Sequence, residues 1–161
     1  MRILTIGGYG FTEDKFIHTL KSADVDILVD IRQRRGLRGS RYAFLNSKRL
    51  QAILNSANIR YLYVRELAPT SEIRETQKRE DANSKTSKRD RLHLSPNFVS
   101  KYQNAILSTF DFTNFQHSLI SAQAIAFFCV EGAPEACHRS LAAEHIASLF
   151  DENIQVEHLI P

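Results

Sequence analysis

Apolar and polar positions alternate along the chain in blocks that predict strands separated by helices. Short apolar runs with the length of buried strands occupy residues 3–6, 25–31, 59–64, 125–129 and 154–159. Between them, apolar residues recur with helical spacing at residues 11–22, 46–54, 96–107, 115–121 and 140–150. This alternation predicts a single α/β domain over residues 1–161, with a mostly parallel sheet of about five strands and helices on both faces.

Two of the predicted helices begin at residues that favour helix starts. Thr12 precedes the first helix, and Ser95 precedes Pro96 at the start of the third. Serine and threonine oxygens accept hydrogen bonds from the free N–H groups of the first turn, and proline is favoured at the first helical position. These residues therefore indicate where the two helices begin.

Glycines and charged residues follow the predicted strand ends, where ligands gather in parallel α/β sheets. Gly7 and Gly8 follow the first strand, and Asp30 and Arg32 end the second. Because these loops converge with the loop after the fourth strand on one sheet edge, we expect a single site there. The expected ligand-binding residues are Gly7, Gly8, Asp30, Arg32, Arg41 and Arg139. A tight strand-to-helix turn is the alternative role for the two glycines.

The segment after the fourth strand concentrates reactive side chains, namely Cys129, Glu131, Cys137, His138 and Arg139. The start of the next helix attracts anions and favours the thiolate form of Cys137. We expect Cys137 to act as a nucleophile or redox thiol, His138 to carry protons, and Glu131 to orient the histidine or act as a base. Each has a structural alternative: a buried thiol, a helix-end histidine, a glutamate that caps a turn, or an arginine paired with a neighbouring glutamate.

Two polar segments interrupt the alternation of strands and helices. The basic loop near residues 32–41 contains five arginines, loosened by glycines and flanked by aromatic residues: Arg32, Arg34, Arg35, Arg38 and Arg41. That composition suits phosphate groups and stacked bases, and a solvated loop without a partner is the alternative. The polar excursion near residues 70–91 has almost no apolar residue after Ile73. It is expected to form an exposed loop, a polar helix, or a lid over a substrate.

Composition and charge narrow the setting in which the chain works. Lys and Arg number 21 against 18 Asp and Glu, a net charge of +3, so overall charge does not identify a partner. No apolar run approaches the roughly 20 residues that span a bilayer, and the apolar run in Met1–Gly7 is too short for a signal peptide, so we expect a cytoplasmic protein with no membrane partner. Its two cysteines are then expected to be free thiols. Without a Cys-x-x-Cys pair, the sequence predicts neither a metal nor a cofactor.

Motifs along essentially the entire chain resemble the DUF488 family, a bacterial and archaeal group named for its unknown function. They are Thr5-Ile6-Gly7, Leu28-Val29-Asp30-Ile31-Arg32, Phe44, Ile59-Arg60-Tyr61, Glu66-Leu67 and Cys129-x-Glu131-x-x-Pro134-x-x-Cys137-His138-Arg139. The resemblance implies a compact α/β domain, in agreement with the order of elements, and brings no settled reaction or substrate.

Three classes of function fit these residues. An enzyme would use Cys137 on an anionic substrate, whereas a binding protein would hold a nucleotide or nucleic acid at the same edge without chemistry. A protein-interaction module would use the basic loop and the polar excursion as its surface. The sequence favours an anion site for a nucleotide or nucleic acid and leaves open whether the protein is an enzyme. Replacing Cys137 by serine separates the first two classes, because only the enzyme needs the thiol.

Overall fold

Apolar runs too short for helices form five strands in the computed structural model, which describes residues 1–88, 90–151 and 153–161. The strands are β1 (Arg2–Ile6), β2 (Ile27–Asp30), β3 (Arg60–Tyr63), β4 (Ala124–Phe128) and β5 (Val156–Leu159). They form one sheet in the order β3-β2-β4-β1-β5, and all four pairings are parallel. The predicted sheet of about five strands is confirmed, and it is parallel throughout because a helical crossover joins each strand to the next.

Six α-helices lie in the described residues: α1 (Glu13–Ser22), α2 (Ser47–Ser56), α3 (Ser71–Asn83), α4 (Pro96–Ala105), α5 (Phe112–His117) and α6 (His138–Phe150). The predicted caps are confirmed, because Thr12 accepts a hydrogen bond from the Lys15 N–H and Ser95 from the Phe98 N–H. The predicted helix at residues 115–121 was misplaced. The N-cap of α5 is Asp111, whose carboxylate accepts a hydrogen bond from the Asn114 N–H. The helix therefore begins at Phe112, three residues before the predicted start.

The polar excursion near residues 70–91 begins as a helix. Thr70 caps α3 by accepting a hydrogen bond from the Ile73 N–H at 3.3 Å. Ile73 and Gln77, four positions apart, are the buried residues of α3, and most of its other residues are exposed or half-buried. Of the three alternatives for this segment, the polar helix therefore describes its first half.

A bilayer would need a longer apolar helix than any found in the described parts of the chain.

Helices pack on both faces of the sheet, as predicted. Leu4 and Leu28 share one apolar cluster with buried residues of α1 and α2. Val29 and Phe127 point to the other face and share a second cluster with residues of α3, α4, α5 and α6. Side chains of adjacent strand positions alternate between faces, so each central strand contributes to both clusters.

The chain leaves β2 and β4 toward opposite faces, although these strands are neighbours. The helix α2 follows β2 on one face, and α6 follows β4 on the other. Such a divergence opens a crevice at the carboxyl ends of the two strands, where doubly wound α/β proteins bind ligands. The residues that follow β2 and β4 therefore meet at this crevice.

Candidate functional site

A buried ion pair closes the end of β2. The guanidinium of Arg32 donates from Nε and Nη2 to the Asp30 carboxylate at 2.9 and 2.7 Å, and from Nη1 to the Leu45 carbonyl at 2.9 Å. The Tyr61 hydroxyl donates to the same carboxylate at 2.6 Å. The Arg32 guanidinium also lies 4.6 Å from the centre of the Phe128 ring. With its charge balanced inside the protein, Arg32 ties the end of β2 to the loop before α2 and to β4.

Glu131 stands at the centre of the loop that follows β4. Its Oε2 atom lies 3.0 Å from the Cys129 Sγ and 3.2 Å from the Cys137 Sγ. Its Oε1 atom lies 3.1 Å from the Lys88 Nζ and 3.7 Å from the Arg91 Nη2. One buried carboxylate thus joins two thiols to two basic side chains.

His138 is fixed in a single orientation beside Cys137. Its Nε2 atom lies 3.1 Å from the Ile31 carbonyl oxygen, and its Nδ1 atom lies 3.9 Å from the Cys137 Sγ. Because a carbonyl oxygen only accepts hydrogen bonds, Nε2 carries a proton and Nδ1 faces the thiol. The Tyr102 ring packs edge-on against the imidazole at 5.5 Å and limits its rotation. The imidazole can therefore exchange a proton with Cys137.

Arg139 and Gly7 shape the backbone beneath these side chains. Arg139 is completely buried and donates from Nη1 and Nη2 to the carbonyls of Glu131 and Gly132 at 2.6 and 2.9 Å. A Cβ atom on Gly7 would lie 2.2 Å from the Glu131 carbonyl oxygen, and one on Gly8 would lie 2.4 Å from a Leu45 methyl carbon. Close packing therefore explains why glycine is needed at both positions. Arg139 fixes the loop by hydrogen bonds to the carbonyl groups of the loop.

A pocket of about 560 Å³ opens above this cluster. Cys129, Cys137 and His138 line its buried end, and residues of α3 line one wall. Six basic and three acidic residues line the pocket: Arg32, Arg34, Arg74, Lys78, Lys88 and Arg91 with Glu75, Asp81 and Glu131. Asp30 balances Arg32 from behind, and the remaining charges still leave a positive excess. The pocket thus joins a basic surface to a thiol–imidazole pair.

The charges of Glu131 and His138 stabilise each other despite burial. Burial raises the pKa of the Glu131 carboxyl, but the positive charges of Lys88 and His138 outweigh that effect and hold this pKa well below its usual value. Burial lowers the pKa of His138, whereas the negative charges of Cys137 and Glu131 raise it, and the net result is a pKa above the usual value. The Glu131 carboxylate and the protonated form of the His138 imidazole therefore stabilise each other.

The two thiols differ in acidity although they share a neighbour. Burial raises the pKa of Cys137, but a hydrogen bond from Cys129 and the positive charges of His138 and Arg139 lower this pKa to about 5. Hydrogen bonding to Cys137 and burial raise the pKa of Cys129 well above its usual value. Cys137 is therefore the more acidic thiol of the pair.

The sequence-predicted residues fall into one cluster with a single outlier. Gly7, Asp30, Arg32, Glu131, Cys137, His138 and Arg139 all lie at the carboxyl edge of the sheet, joined by the contacts above. Arg41 lies apart, in a depression of about 220 Å³ near the start of α1. Gly7, Gly8, Asp30 and Arg139 support the pocket from behind and are not among its lining residues within the described chain. The roles of all these residues stay predictions.

Sequence reasoning did not single out Lys88 or Arg91, which complete the surroundings of Glu131. Arg91 also donates to Asp81 at 2.7 Å and to the Ala136 carbonyl, and these bonds attach the excursion to the loop after β4. The only sequence signal was the density of charge in the excursion. That signal does not reveal which charges face inward, because contacts with residues distant in sequence, such as that of Arg91 with the Ala136 carbonyl, decide it.

The fold and the site together define a parallel α/β protein. It carries a thiol, an imidazole and a carboxylate in the crevice at the carboxyl ends of β2 and β4. Residues 12–146 match the family described as Domain of unknown function DUF488, and the chain belongs to that family. Neither a curated protein nor a solved structure gives a match to this chain.

The difference in acidity between the thiols predicts a low-pH alkylation profile for Cys137. In chelator-treated protein, its rate with iodoacetamide is expected to rise through a pH of about 5 and to be level by about pH 7, because only the thiolate reacts. Peptide mass spectrometry separates Cys137 from Cys129. Replacing Cys129 by alanine removes the stabilising donor and should move the profile to higher pH. A wild-type rate that rises only near the free-thiol value of about 8.5 would contradict this prediction.

Proposed function

We propose that this protein binds a nucleotide in the pocket at the carboxyl edge of the sheet, and that Cys137 is the reactive group toward the bound ligand. The observation that carries the proposal is the basic lining of the pocket, which leads directly to Cys137 and His138. Basic side chains bind phosphate, and a low-pKa thiol beside an imidazole is a typical nucleophile.

The size and the charges of the pocket support a nucleotide rather than a bare anion. A volume of about 560 Å³ falls within the range of roughly 300–1,000 Å³ typical of small-molecule sites. Leu37, Leu94 and Val130 offer apolar contacts for a base, and Arg34 offers a charge for phosphate. Arg34 is exposed, and none of the described residues forms a hydrogen bond or ion pair with its side chain. Its guanidinium is therefore available to a ligand.

In the proposed reaction the buried cluster acts as a unit. The ionised Cys137 sulfur forms a bond to an electrophilic centre of the bound ligand while the bond from that centre to its leaving group breaks. The protonated His138, whose Nδ1 faces the sulfur at 3.9 Å, gives its proton to the departing group. Glu131 stabilises the protonated imidazole and positions both thiols. Lys88 and Arg91 balance the negative charge of Glu131 next to the ligand.

Isothermal titration calorimetry of the full chain with AMP, ADP, ATP, GTP and inorganic phosphate tests the binding step. We expect saturable binding of at least one nucleotide that is tighter than binding of phosphate. Replacing Arg34 by alanine should weaken it by about tenfold or more, because a hydrogen bond to a charged group contributes about 1.5–3 kcal/mol. Replacing Cys137 by serine should leave affinity nearly unchanged, and bound nucleotide should protect Cys137 from iodoacetamide.

The matched control for Arg34 is Lys21→Ala. It also removes one exposed positive charge, but at the end of α1, near the opposite edge of the sheet. It should not change nucleotide affinity. If no nucleotide binds saturably at low salt, or if Lys21→Ala weakens binding as much as Arg34→Ala, the proposal is wrong.

A nucleic-acid interface on the basic loop is the second candidate function. Arg34, Arg38 and Arg41 are exposed there, whereas Arg35 stacks at 3.8 Å over the Tyr63 ring and donates to the Tyr61 hydroxyl. Three exposed guanidinium groups on one loop suit a phosphate backbone.

Short oligonucleotides are then expected to bind with an affinity that falls steeply as salt rises. Replacing Arg34, Arg38 and Arg41 together by alanine should reduce the slope of log affinity against log salt by roughly one unit per lost phosphate contact. Fluorescence anisotropy at several salt concentrations measures that slope. The triple variant should retain its fold, because these side chains are exposed. Absence of oligonucleotide binding at low salt would remove this candidate and leave the nucleotide pocket unaffected.

A further inference from the structure

We propose that Cys129, Cys137, His138 and Glu131 form a closed binding site for one zinc-like divalent metal ion. The Sγ atoms of both cysteines and a ring nitrogen of His138 all lie within 4.8 Å of one another, and all three residues are buried. The Glu131 Oε2 atom lies 3.0 and 3.2 Å from the two sulfurs. The Glu131 oxygen thus adjoins both sulfurs, and the His138 nitrogen lies within 4.8 Å of each sulfur.

Three of the distances among these four atoms lie near those of a zinc tetrahedron. Bonds of about 2.3 Å to sulfur and about 2.0–2.2 Å to nitrogen or oxygen place tetrahedral ligands roughly 3.3–3.8 Å apart. The Cys137 Sγ to His138 Nδ1 distance is 3.9 Å, and the two sulfur-to-carboxylate distances are slightly shorter than the tetrahedral values. Shifts of a few tenths of an ångström would adapt these three distances. The remaining separations among the sulfurs and the nitrogen reach at most 4.8 Å and would close by up to about 1 Å around the ion.

The residues around the four ligands support metal binding independently of their spacing. The Ile31 carbonyl accepts from His138 Nε2 and leaves Nδ1 toward the sulfurs, where it can bind a metal ion after losing its proton, as such contacts do for metal-bound histidines. Lys88 contacts the outer Glu131 oxygen at 3.1 Å and leaves the inner oxygen toward the cluster. Two thiolates and one carboxylate exceed the charge of a divalent ion by one, and the ammonium of Lys88 balances the excess.

The chemistry of the ligands selects the class of metal. Thiolate and imidazole favour zinc and similar transition metals over magnesium and calcium, which take oxygen ligands. This site departs from the sequence expectation of no metal. Its two cysteines are eight positions apart, and the 3-10 turn Pro134–Ala136 returns the chain to the end of β4. No short Cys-x-x-Cys spacing was needed to bring them together.

Metal binding and thiol chemistry are then alternative states of the same cluster. With four protein ligands the ion is fully coordinated, and Cys137 cannot react while it is bound. Release of the ion restores the thiolate that faces the nucleotide pocket. This inference goes beyond the proposed nucleotide binding, because the basic residues of the pocket are not metal ligands.

Cobalt(II) added to the chelator-treated full chain provides the first test. One equivalent is expected to produce a sulfur-to-cobalt charge-transfer band and the intense visible bands of tetrahedral cobalt. Zinc should displace the cobalt at one equivalent per chain and should block iodoacetamide labelling of both cysteines. The spectrum of the wild-type protein alone shows whether sulfur binds the metal, so this test does not depend on the folding of any variant. Absence of the charge-transfer band would overturn the proposal.

Competition with a chromophoric chelator measures zinc affinity and identifies the ligands. Cys129→Ser and Cys137→Ser should each weaken zinc binding by roughly a hundredfold or more, because each removes one of four ligands. His117→Ala, which removes an imidazole at the end of α5, is the matched control and should have no effect. Unchanged affinity in both cysteine variants would also overturn the proposal. Calorimetry with nucleotide in the presence of chelator reports on the pocket separately.

Discussion

Replacing Asp30 by alanine is expected to lower the free energy of unfolding by about 3–5 kcal/mol, because it leaves the Arg32 guanidinium buried without its counter-ion. The side chains of Arg32 and Asp30 are only 2% and 0% exposed, so water cannot substitute for the lost carboxylate. The Tyr61 hydroxyl loses its acceptor in the same variant. Urea unfolding followed by circular dichroism measures the change.

The matched control is Glu13→Ala, which breaks an ion pair of similar length at the surface. Glu13 and Arg49 approach to 2.6 Å, but the arginine side chain is 57% exposed. Exposed pairs contribute about 0–1 kcal/mol, so this variant should unfold nearly like the wild type. Equal losses in the two variants would show that burial does not determine the strength of the Asp30–Arg32 pair.

The order of elements could be predicted because local patterns determine it. Thr12 and Ser95 cap helices through contacts made within one turn, and such contacts depend only on neighbouring residues. The order of the strands could not be predicted in the same way. The strand β4 lies between β1 and β2, which it joins through residues more than 90 positions apart in sequence. Only packing of the whole sheet selects that arrangement.

The candidate site shows the same division between local and distant information. The position of Cys137 and His138 after a strand and at a helix start could be inferred from the sequence, and the structure places them there. The structural role of Arg139 could not be inferred from the sequence, because its hydrogen-bond partners are backbone carbonyls of the preceding loop. Lys88 reaches Glu131 from a polar segment whose sequence gives no direction to its side chains.

Arg139 and Glu131 together explain why the loop after β4 can hold a charged cluster. The guanidinium of Arg139 donates hydrogen bonds to two backbone carbonyls of the loop. The Glu131 side chain contacts the sulfur atoms of both cysteines. A buried carboxylate is costly unless it is paired, and Lys88 and Arg91 supply the pairing from the polar excursion. Folding of that excursion and ionisation of the site are therefore coupled.

Replacing Gly7 by alanine is expected to destabilise the protein by about 3 kcal/mol, at the upper end of the cost of overpacking a core. The new methyl group would lie 2.2 Å from the Glu131 carbonyl oxygen and 3.2 Å from the Arg139 Nη2. Hydrogen bonds hold both atoms in place, because Arg139 Nη1 donates to the Glu131 carbonyl and Nη2 donates to the Gly132 carbonyl. The displaced carbonyl would also shift Glu131, so the alkylation rate of Cys137 at neutral pH should change.

Gly36→Ala is the matched control for Gly7→Ala, because it adds the same methyl group where no atom lies within 4 Å. It should change the free energy of unfolding by less than about 0.5 kcal/mol or raise it slightly, since alanine restricts the unfolded chain more than glycine does. Urea unfolding and Cys137 labelling of both variants test the comparison. Equal stability of the two variants would mean that Gly7 is not required for the approach of β1 to the loop after β4, and that the cluster around Glu131 tolerates movement of its backbone.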